Sequence, residues 1–219
     1  MFPDFYSQPI MKKQLIAAAI LSTLLSGAAF AQQTTEGPWM VRARAVHLQS
    51  DNGGSTNVGG SDIGISMNNK WIPEVDISYF FSPNVAVELI LTVPQKQTLR
   101  SSLLNADIGT FKHLPPTLLA QYHCPMNGFK PYVGAGINYT RFSSKNLPFI
   151  PGVGQPGIEK DSWGGALQVG VDIPLTKGMY LNLDLKKVML RTDVTLNGAK
   201  IGDFKVDPLL VGVGLGWRF

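Results

Sequence analysis

Apolar residues recur at every second position along most of the chain beyond residue 38, and this period predicts β-strands rather than helices. In the last segment Leu209, Val211, Val213, Leu215, Trp217 and Phe219 alternate with Leu210, Gly212, Gly214, Gly216 and Arg218. Crossing a thin membrane at a tilt takes about 9–11 residues per strand. Eight segments have that length: 39–49, 70–81, 84–95, 111–123, 130–141, 162–173, 179–194 and 207–219.

Alternation alone leaves two architectures open. In a soluble sandwich the apolar face of each strand forms the core, whereas in a transmembrane barrel it meets lipid and the small or polar face fills the lumen. The lengths of the connections favour the barrel, because short turns on one side and long loops on the other are typical of outer-membrane proteins. The short connections are 82–84, 124–129 and 174–178, and the long ones are 50–69, 96–110, 142–161 and 195–206.

Aromatic residues near the strand ends favour the same architecture, since such barrels carry an aromatic girdle at each membrane interface. They are Trp39, Trp71, Tyr79, Phe81, Tyr132, Tyr139, Trp163, Tyr180, Trp217 and Phe219. The terminal Phe219 resembles the signal by which the barrel-assembly machinery recognises outer-membrane proteins. We therefore predict an all-β fold: an eight-stranded antiparallel transmembrane β-barrel with long extracellular loops, short periplasmic turns and both mature termini in the periplasm.

The N-terminal segment predicts export. Met11-Lys12-Lys13 is basic, Leu15 to Leu25 is apolar, and Ala29-Phe30-Ala31 precedes Gln32, which is the layout of a secretory signal. An uncleaved N-terminal anchor is the alternative. We predict a signal peptide over 1–31, with translation starting at Met11, and a barrel over 32–219.

Composition excludes several other classes of protein. Only 16% of the 219 residues are charged, the net charge is +4, and no basic cluster supports nucleic-acid binding. The mature chain also lacks the roughly 18 uninterrupted apolar residues of a membrane helix. Its three histidines are scattered without metal-ligand spacing, so neither a metal nor another cofactor is predicted.

The inward-facing register predicts two layers inside the barrel. One is a polar floor of five basic and five acidic residues, which must pair because burying an unpaired charge costs several kcal/mol. They are Arg42, Arg44, Glu74, Asp76, Glu88, Lys130, Asp172, Asp184, Lys186 and Arg218. The other, toward the outer end, is apolar: Val46, Leu48, Ile72, Ile90, Val188, Leu190 and Leu210. These residues either pack against folded-back loops or line an apolar channel or pocket for a ligand.

Prolines predict a local opening in the barrel wall, because proline removes a hydrogen bond from the strand ladder. Pro73, Pro94, Pro115 and Pro116 fall within three neighbouring segments. A hydrophobic molecule held above a charged floor would leave sideways, between strands, into the bilayer.

Several motifs resemble the outer membrane protein W family over essentially the whole mature chain. They are HLPPTLLAQY at 113–122, FKPYVGAGINYT at 129–140, DSWGGALQVGVD at 161–172, NVAVE at 84–88 with Thr92-x-Pro94, Val206-Asp207-Pro208, and the closing Gly216 to Phe219. The resemblance implies an eight-stranded barrel in the outer membrane of a Gram-negative bacterium, which takes up small hydrophobic molecules through a narrow apolar channel. Its partners would then be outer-membrane lipid, lipopolysaccharide and the hydrophobic ligand.

Two other functions stay open at this stage. A structural or adhesive barrel would bind outside partners with its loops, of which 142–161 is unusually apolar. A lipid-modifying enzyme would need a histidine and a carboxylate near the outer leaflet. His113 with Thr110 and Asp107 is the best such group, and we predict that the chain is not an enzyme.

Overall fold

The computed structural model describes residues 36–58, 61–62, 64–149 and 154–219. The predicted signal peptide and the start at Met11 lie outside these residues. The strands are β1 (Trp39–Gln49), β2 (Gly53–Val58), β3 (Ser61–Asp62), β4 (Ile65–Met67), β5 (Lys70–Phe80), β6 (Val85–Thr92), β7 (Gln95–Ser101), β8 (Ala106–Leu114), β9 (Thr117–His123), β10 (Lys130–Asn146), β11 (Pro156–Ile158), β12 (Asp161–Thr176), β13 (Met179–Val188), β14 (Arg191–Leu196), β15 (Ala199–Lys205) and β16 (Leu209–Arg218). Within the described ranges, no helix has the length and apolar character needed to span a membrane.

Eight of the strands close into a ring. The order is β1, β5, β6, β9, β10, β12, β13 and β16, every pair is antiparallel, and β16 returns to β1. At the seam the Phe219 amide donates to the Trp39 carbonyl at 2.9 Å, and the Trp39 amide donates back at 3.1 Å. The predicted eight-stranded antiparallel β-barrel is confirmed.

The two ends of the barrel differ as the connection lengths predict. Short connections at 81–84, 124–129 and 177–178 lie at one end, which we call the turn end, together with the seam at Phe219. Gly178 has a φ of 75° in the two-residue turn between β12 and β13, a conformation that glycine adopts without steric cost. The opposite end, which carries the long excursions, is the loop end.

The excursions are built of strands, whereas the sequence predicted them only as long connections. Strands β4, β7 and β8 extend the wall beyond the ring, where β8 pairs with the far part of β10. Strands β11, β14, β15, β2 and β3 form a second sheet. The sequences of these strands show little alternation of apolar and polar residues, so the pattern does not predict them. Their pairing depends on contacts between excursions that lie far apart along the chain.

Two predicted segments are each split in the structure. The segment 111–123 breaks into β8 and β9 at Pro115 and Pro116, which lack the amide hydrogen that a ladder needs. The segment 179–194 breaks into β13 and β14 at Met189 and Leu190. There the Leu190 amide donates to the side chain of Asp207 at 2.9 Å instead of to a neighbouring strand.

The aromatic girdles are present with two exceptions. Trp39, Tyr79 and Phe81 form edge-on contacts at the turn end, and Tyr139 stacks near Trp163 toward the loop end. The girdle prediction is wrong for Tyr132 and Tyr180, each only 2% exposed inside the barrel. Their even-numbered positions share the inward register of Lys130 and Asp184, so the period of two already excluded them from the outer face.

Candidate functional site

A polar floor fills the barrel interior toward the turn end. Eight predicted members are buried: Arg42, Arg44, Glu74, Asp76, Glu88, Asp172, Asp184 and Lys186. Each lies within 3.2 Å of an oppositely charged partner. Arg42 binds Asp172 through two nitrogens, at 2.7 and 3.2 Å, and reaches Glu88 at 3.0 Å.

Arg44 is the centre of the floor. Its guanidinium lies 2.6 Å from Asp76, 3.1 Å from Glu74 and 3.2 Å from Asp184. Lys186 shares Glu74 at 3.0 Å. These eight residues comprise three basic and five acidic side chains, so ion pairing alone does not satisfy every carboxylate oxygen.

Neutral donors that sequence reasoning missed complete the network. Gln121 and Gln168 donate to Glu88 at 2.8 and 2.9 Å, and Asn182 donates to Asp172 at 2.8 Å. Tyr132 donates to Asp184 at 3.0 Å. The signal that could have found them is again the inward register, which places all four beside the charged residues.

The lumen is too narrow for all of its inward-facing positions to carry large side chains. A Cβ atom on Gly170 would lie 2.4 Å from the ring of Tyr132. Small inward residues therefore make room for the side chains of the floor, and the packed floor blocks a straight apolar path along the barrel axis.

The remaining two predicted floor residues lie at the rim of the turn end. Lys130 and Arg218 pair with Glu36 at 2.7 and 3.0 Å, and Tyr180 donates to the same carboxylate. Burial alone would raise the pKa of Glu36, but the hydrogen bonds from Lys130 and Tyr180 outweigh it and the pKa is lowered. Glu36, which the sequence pattern did not predict, thus links three side chains at the rim.

An apolar layer, the mouth, lies above the floor toward the loop end. All seven residues predicted there are buried: Val46, Leu48, Ile72, Ile90, Val188, Leu190 and Leu210. They pack in one cluster with side chains from the excursions, including Met67, Leu99, Phe111, Phe142 and Phe204. Folded-back excursions therefore cover most of the mouth.

A small cavity remains within the mouth, with room for about one water-sized sphere. It is lined by Leu48, Met67, Phe111, His113, Phe142, Leu190, Val206 and Pro208. Only Leu48 and Leu190 belong to the predicted lining. Phe111, His113 and Pro208 belong to predicted strand segments but not to the predicted lining. Met67, Phe142 and Val206 come from the excursions, whose long-range pairing the sequence pattern does not reveal.

The predicted prolines have different surroundings. Strand β5 runs through Pro73 without interruption, whereas Pro94 separates β6 from β7 and Pro115–Pro116 separate β8 from β9. At the second break a side chain holds the wall together: the Asn138 amide lies 3.3 Å from both proline carbonyls and 2.7 Å from the Thr117 hydroxyl.

The candidate catalytic group is not assembled. Asp107 lies on an exposed surface, 3.7 Å from Arg100, whereas His113 faces the buried mouth. Cys124 is a free thiol in the turn before β10.

Comparisons with known proteins agree with this architecture. The chain is 39% identical to an outer-membrane protein of Sinorhizobium fredii over 189 residues, which are 83% of this chain and 80% of that protein. It is 34% identical to outer membrane protein W of Escherichia coli, over 95% of this chain and all of that protein. A Pseudomonas aeruginosa relative named as a dibenzothiophene metabolism operon protein is 28% identical, over 84% of this chain and 90% of its own.

Among solved structures, the crystal structure of the outer membrane protein OprG from Pseudomonas aeruginosa superposes with a TM-score of 0.72 at 26% identity. It covers 84% of this chain and 97% of its own. The family model described as the OmpW family matches residues 35–219. The chain is thus an outer-membrane β-barrel, and it belongs to the OmpW family.

Proposed function

We propose that this barrel is an entry route for small hydrophobic molecules across the outer membrane. The observation that carries the proposal is the apolar mouth above a polar floor of ion-paired side chains. An apolar solute gains by leaving water for the mouth, and the floor blocks a straight path below it. The relative named for a dibenzothiophene metabolism operon supports a hydrophobic, aromatic solute class.

The proposal fixes an orientation and a set of partners. The loop end faces outward, where lipopolysaccharide surrounds it, and the turn end with both mature termini faces the periplasm. Phe219, exposed beside the seam, is the proposed contact for the barrel-assembly machinery. The lipid partner is the bilayer that meets outward side chains such as Leu89 and Val133.

Entry of labelled n-octane into cells tests this function. Cells that lack an OmpW-family protein of their own are expected to accumulate n-octane several-fold faster when they produce this barrel. The control is an equal amount of an unrelated eight-stranded barrel in the same cells. Equal initial rates, with both barrels folded in the outer membrane, would contradict the proposed function.

The proposed exit lies in the wall beside Pro115 and Pro116. Backbone pairing of β9 with β10 ends at Thr117 opposite Asn138, and β8 resumes at Leu114 opposite Arg141. In between, the amide of Tyr139 donates to the Pro116 carbonyl at 3.0 Å, but the prolines offer no donor in return. Backbone pairing is therefore incomplete there, and the lipid side of the wall is apolar, with Leu114 and Leu118 exposed.

Replacing both prolines with valine is expected to slow n-octane entry. The Pro116 carbonyl faces β10, and consecutive strand residues point their backbone groups to opposite sides, so only the valine at 116 can donate toward β10. That one hydrogen bond contributes about 1 kcal/mol and would reduce the rate roughly 5-fold if opening limits exit. The measurement is the initial rate of entry at matched levels of folded barrel. Pro174→Val, at the turn end of β12, is the control and is expected to leave the rate unchanged. An unchanged rate in the Pro115→Val, Pro116→Val variant would exclude an exit at this position.

A further inference from the structure

The inward face of β7 and β8 places polar side chains in the otherwise apolar mouth. His113 lines the cavity and Gln97 lies directly opposite Phe111, which also lines it. His113 is 3% exposed and Gln97 is fully buried. His113 therefore contributes an imidazole to the cavity wall, and Gln97 lies on the neighbouring strand, opposite a second lining residue.

The polar atoms of this pair lack partners within the described chain. His113 Nδ1 and both the amide nitrogen and the amide oxygen of Gln97 are buried without a hydrogen bond there. A buried polar group without a partner is unfavourable, so it favours a ligand that supplies one. By contrast, the floor residues Gln121 and Gln168 donate to carboxylates. Gln97 thus differs from the glutamines of the floor, whose amides have carboxylate partners.

The imidazole of His113 is buried among apolar and aromatic side chains. The rings of Phe111 and Phe142 lie 5.9 and 6.5 Å from the imidazole ring. A charged ligand group would lose its hydration in these surroundings.

We propose that His113 and Gln97 bind the uncharged polar head of a small amphipathic molecule, an alcohol or a carbonyl compound, whose apolar body packs in the mouth. A hydroxyl group both donates and accepts, which matches an imidazole nitrogen of either tautomer and the two ends of an amide. The cavity has room for such a head group. This inference rests on the proposed function and names the ligand class that the mouth prefers.

A comparison of 1-octanol with n-octane tests the preference, because the two solutes share a chain of the same length. The initial rate of entry and the apparent affinity for the folded barrel are measured for both. His113→Phe is expected to weaken 1-octanol binding roughly 3- to 10-fold, as expected for the loss of a neutral hydrogen bond. Binding of n-octane should stay the same, since a phenyl ring fills the place of the imidazole.

Two further variants make the test specific. Gln97→Met, of similar length but without the amide, is expected to reduce 1-octanol binding selectively as well. His47→Phe is the matched control: His47 lies on the outer face of β1, its ring 5.1 Å from that of Trp71, and its loss should change neither solute. In wild-type protein the ¹⁵N resonance of His113 Nδ1 should move with 1-octanol and not with n-octane.

The outcomes separate this inference from the function on which it rests. If n-octane and 1-octanol enter equally well and His113→Phe changes neither, the head-group site is refuted while the entry route stands. An equal loss of both solutes in His113→Phe would show that the imidazole only shapes the mouth, and it too would overturn the inference. Failure of both solutes to enter through the wild-type barrel would overturn the proposed function itself.

Discussion

Replacing Arg44 with methionine is expected to lower the free energy of unfolding by about 3–5 kcal/mol, the usual cost of removing one partner from a buried ion pair. Arg44 lies within 3.2 Å of three carboxylates, on Glu74, Asp76 and Asp184. Without the guanidinium, Lys186 and Arg42 are the remaining cations for five buried acids. The measurement is urea unfolding of the barrel in phospholipid vesicles, followed by tryptophan fluorescence.

A surface pair supplies the control for this substitution. Arg100 lies 3.7 Å from Asp107, and both side chains are more than half exposed. Arg100→Met is therefore expected to change the free energy of unfolding by less than about 1 kcal/mol. If Arg44→Met costs no more than this control, the carboxylates of the floor do not depend on the arginine for their stability.

A combined variant separates charge from packing. Adding Asp76→Asn to Arg44→Met removes the carboxylate whose ion pair the first substitution breaks, whereas Glu74 keeps Lys186 at 3.0 Å. Part of the lost stability should then return, because the desolvation cost of that charge disappears. A purely steric role of Arg44 predicts no recovery.

The polar floor shows how much of the barrel interior follows from the two-residue period of the strands. Inward positions of neighbouring strands meet by register, as with Arg42 opposite Asp76 and Arg44 opposite Glu74. Once the strands are assigned, the alternation of side chains therefore identifies the inward-facing charged residues without any long-range information. The same alternation places Tyr132 on the inward face. The girdle prediction missed this because it considered only how near the residue lies to a strand end.

The mouth contains side-chain contacts that this period does not predict. Leu48 follows from the register of β1, whereas Phe111 and Phe142 reach the cavity from β8 and the far part of β10, which pair with each other beyond the ring. Their pairing is irregular, with a register shift between Ser143 and Asn146. Local alternation carries no signal for such contacts, so the polar pair His113 and Gln97 is visible only in the structure.

Truncating Phe142 is expected to change both the stability of the barrel and solute entry. Its ring is 3% exposed, lies 5.5 Å from the ring of Phe111, and lines the cavity. Phe142→Ala is expected to lower the free energy of unfolding by about 3–5 kcal/mol, as is usual when a buried phenylalanine is truncated. It should also enlarge the apolar cavity, and a cavity with apolar walls takes up an aromatic solute rather than water.

Entry of naphthalene measures the second effect. If the cavity lies on the entry route, Phe142→Ala should raise the initial rate several-fold in cells that produce equal amounts of folded barrel. Phe149→Ala is the matched control, because this phenylalanine follows in the same excursion and is 62% exposed. It should change neither stability nor entry. A destabilised Phe142→Ala barrel with an unchanged naphthalene rate would remove the cavity from the route, since enlarging a compartment through which the solute passes must alter its passage.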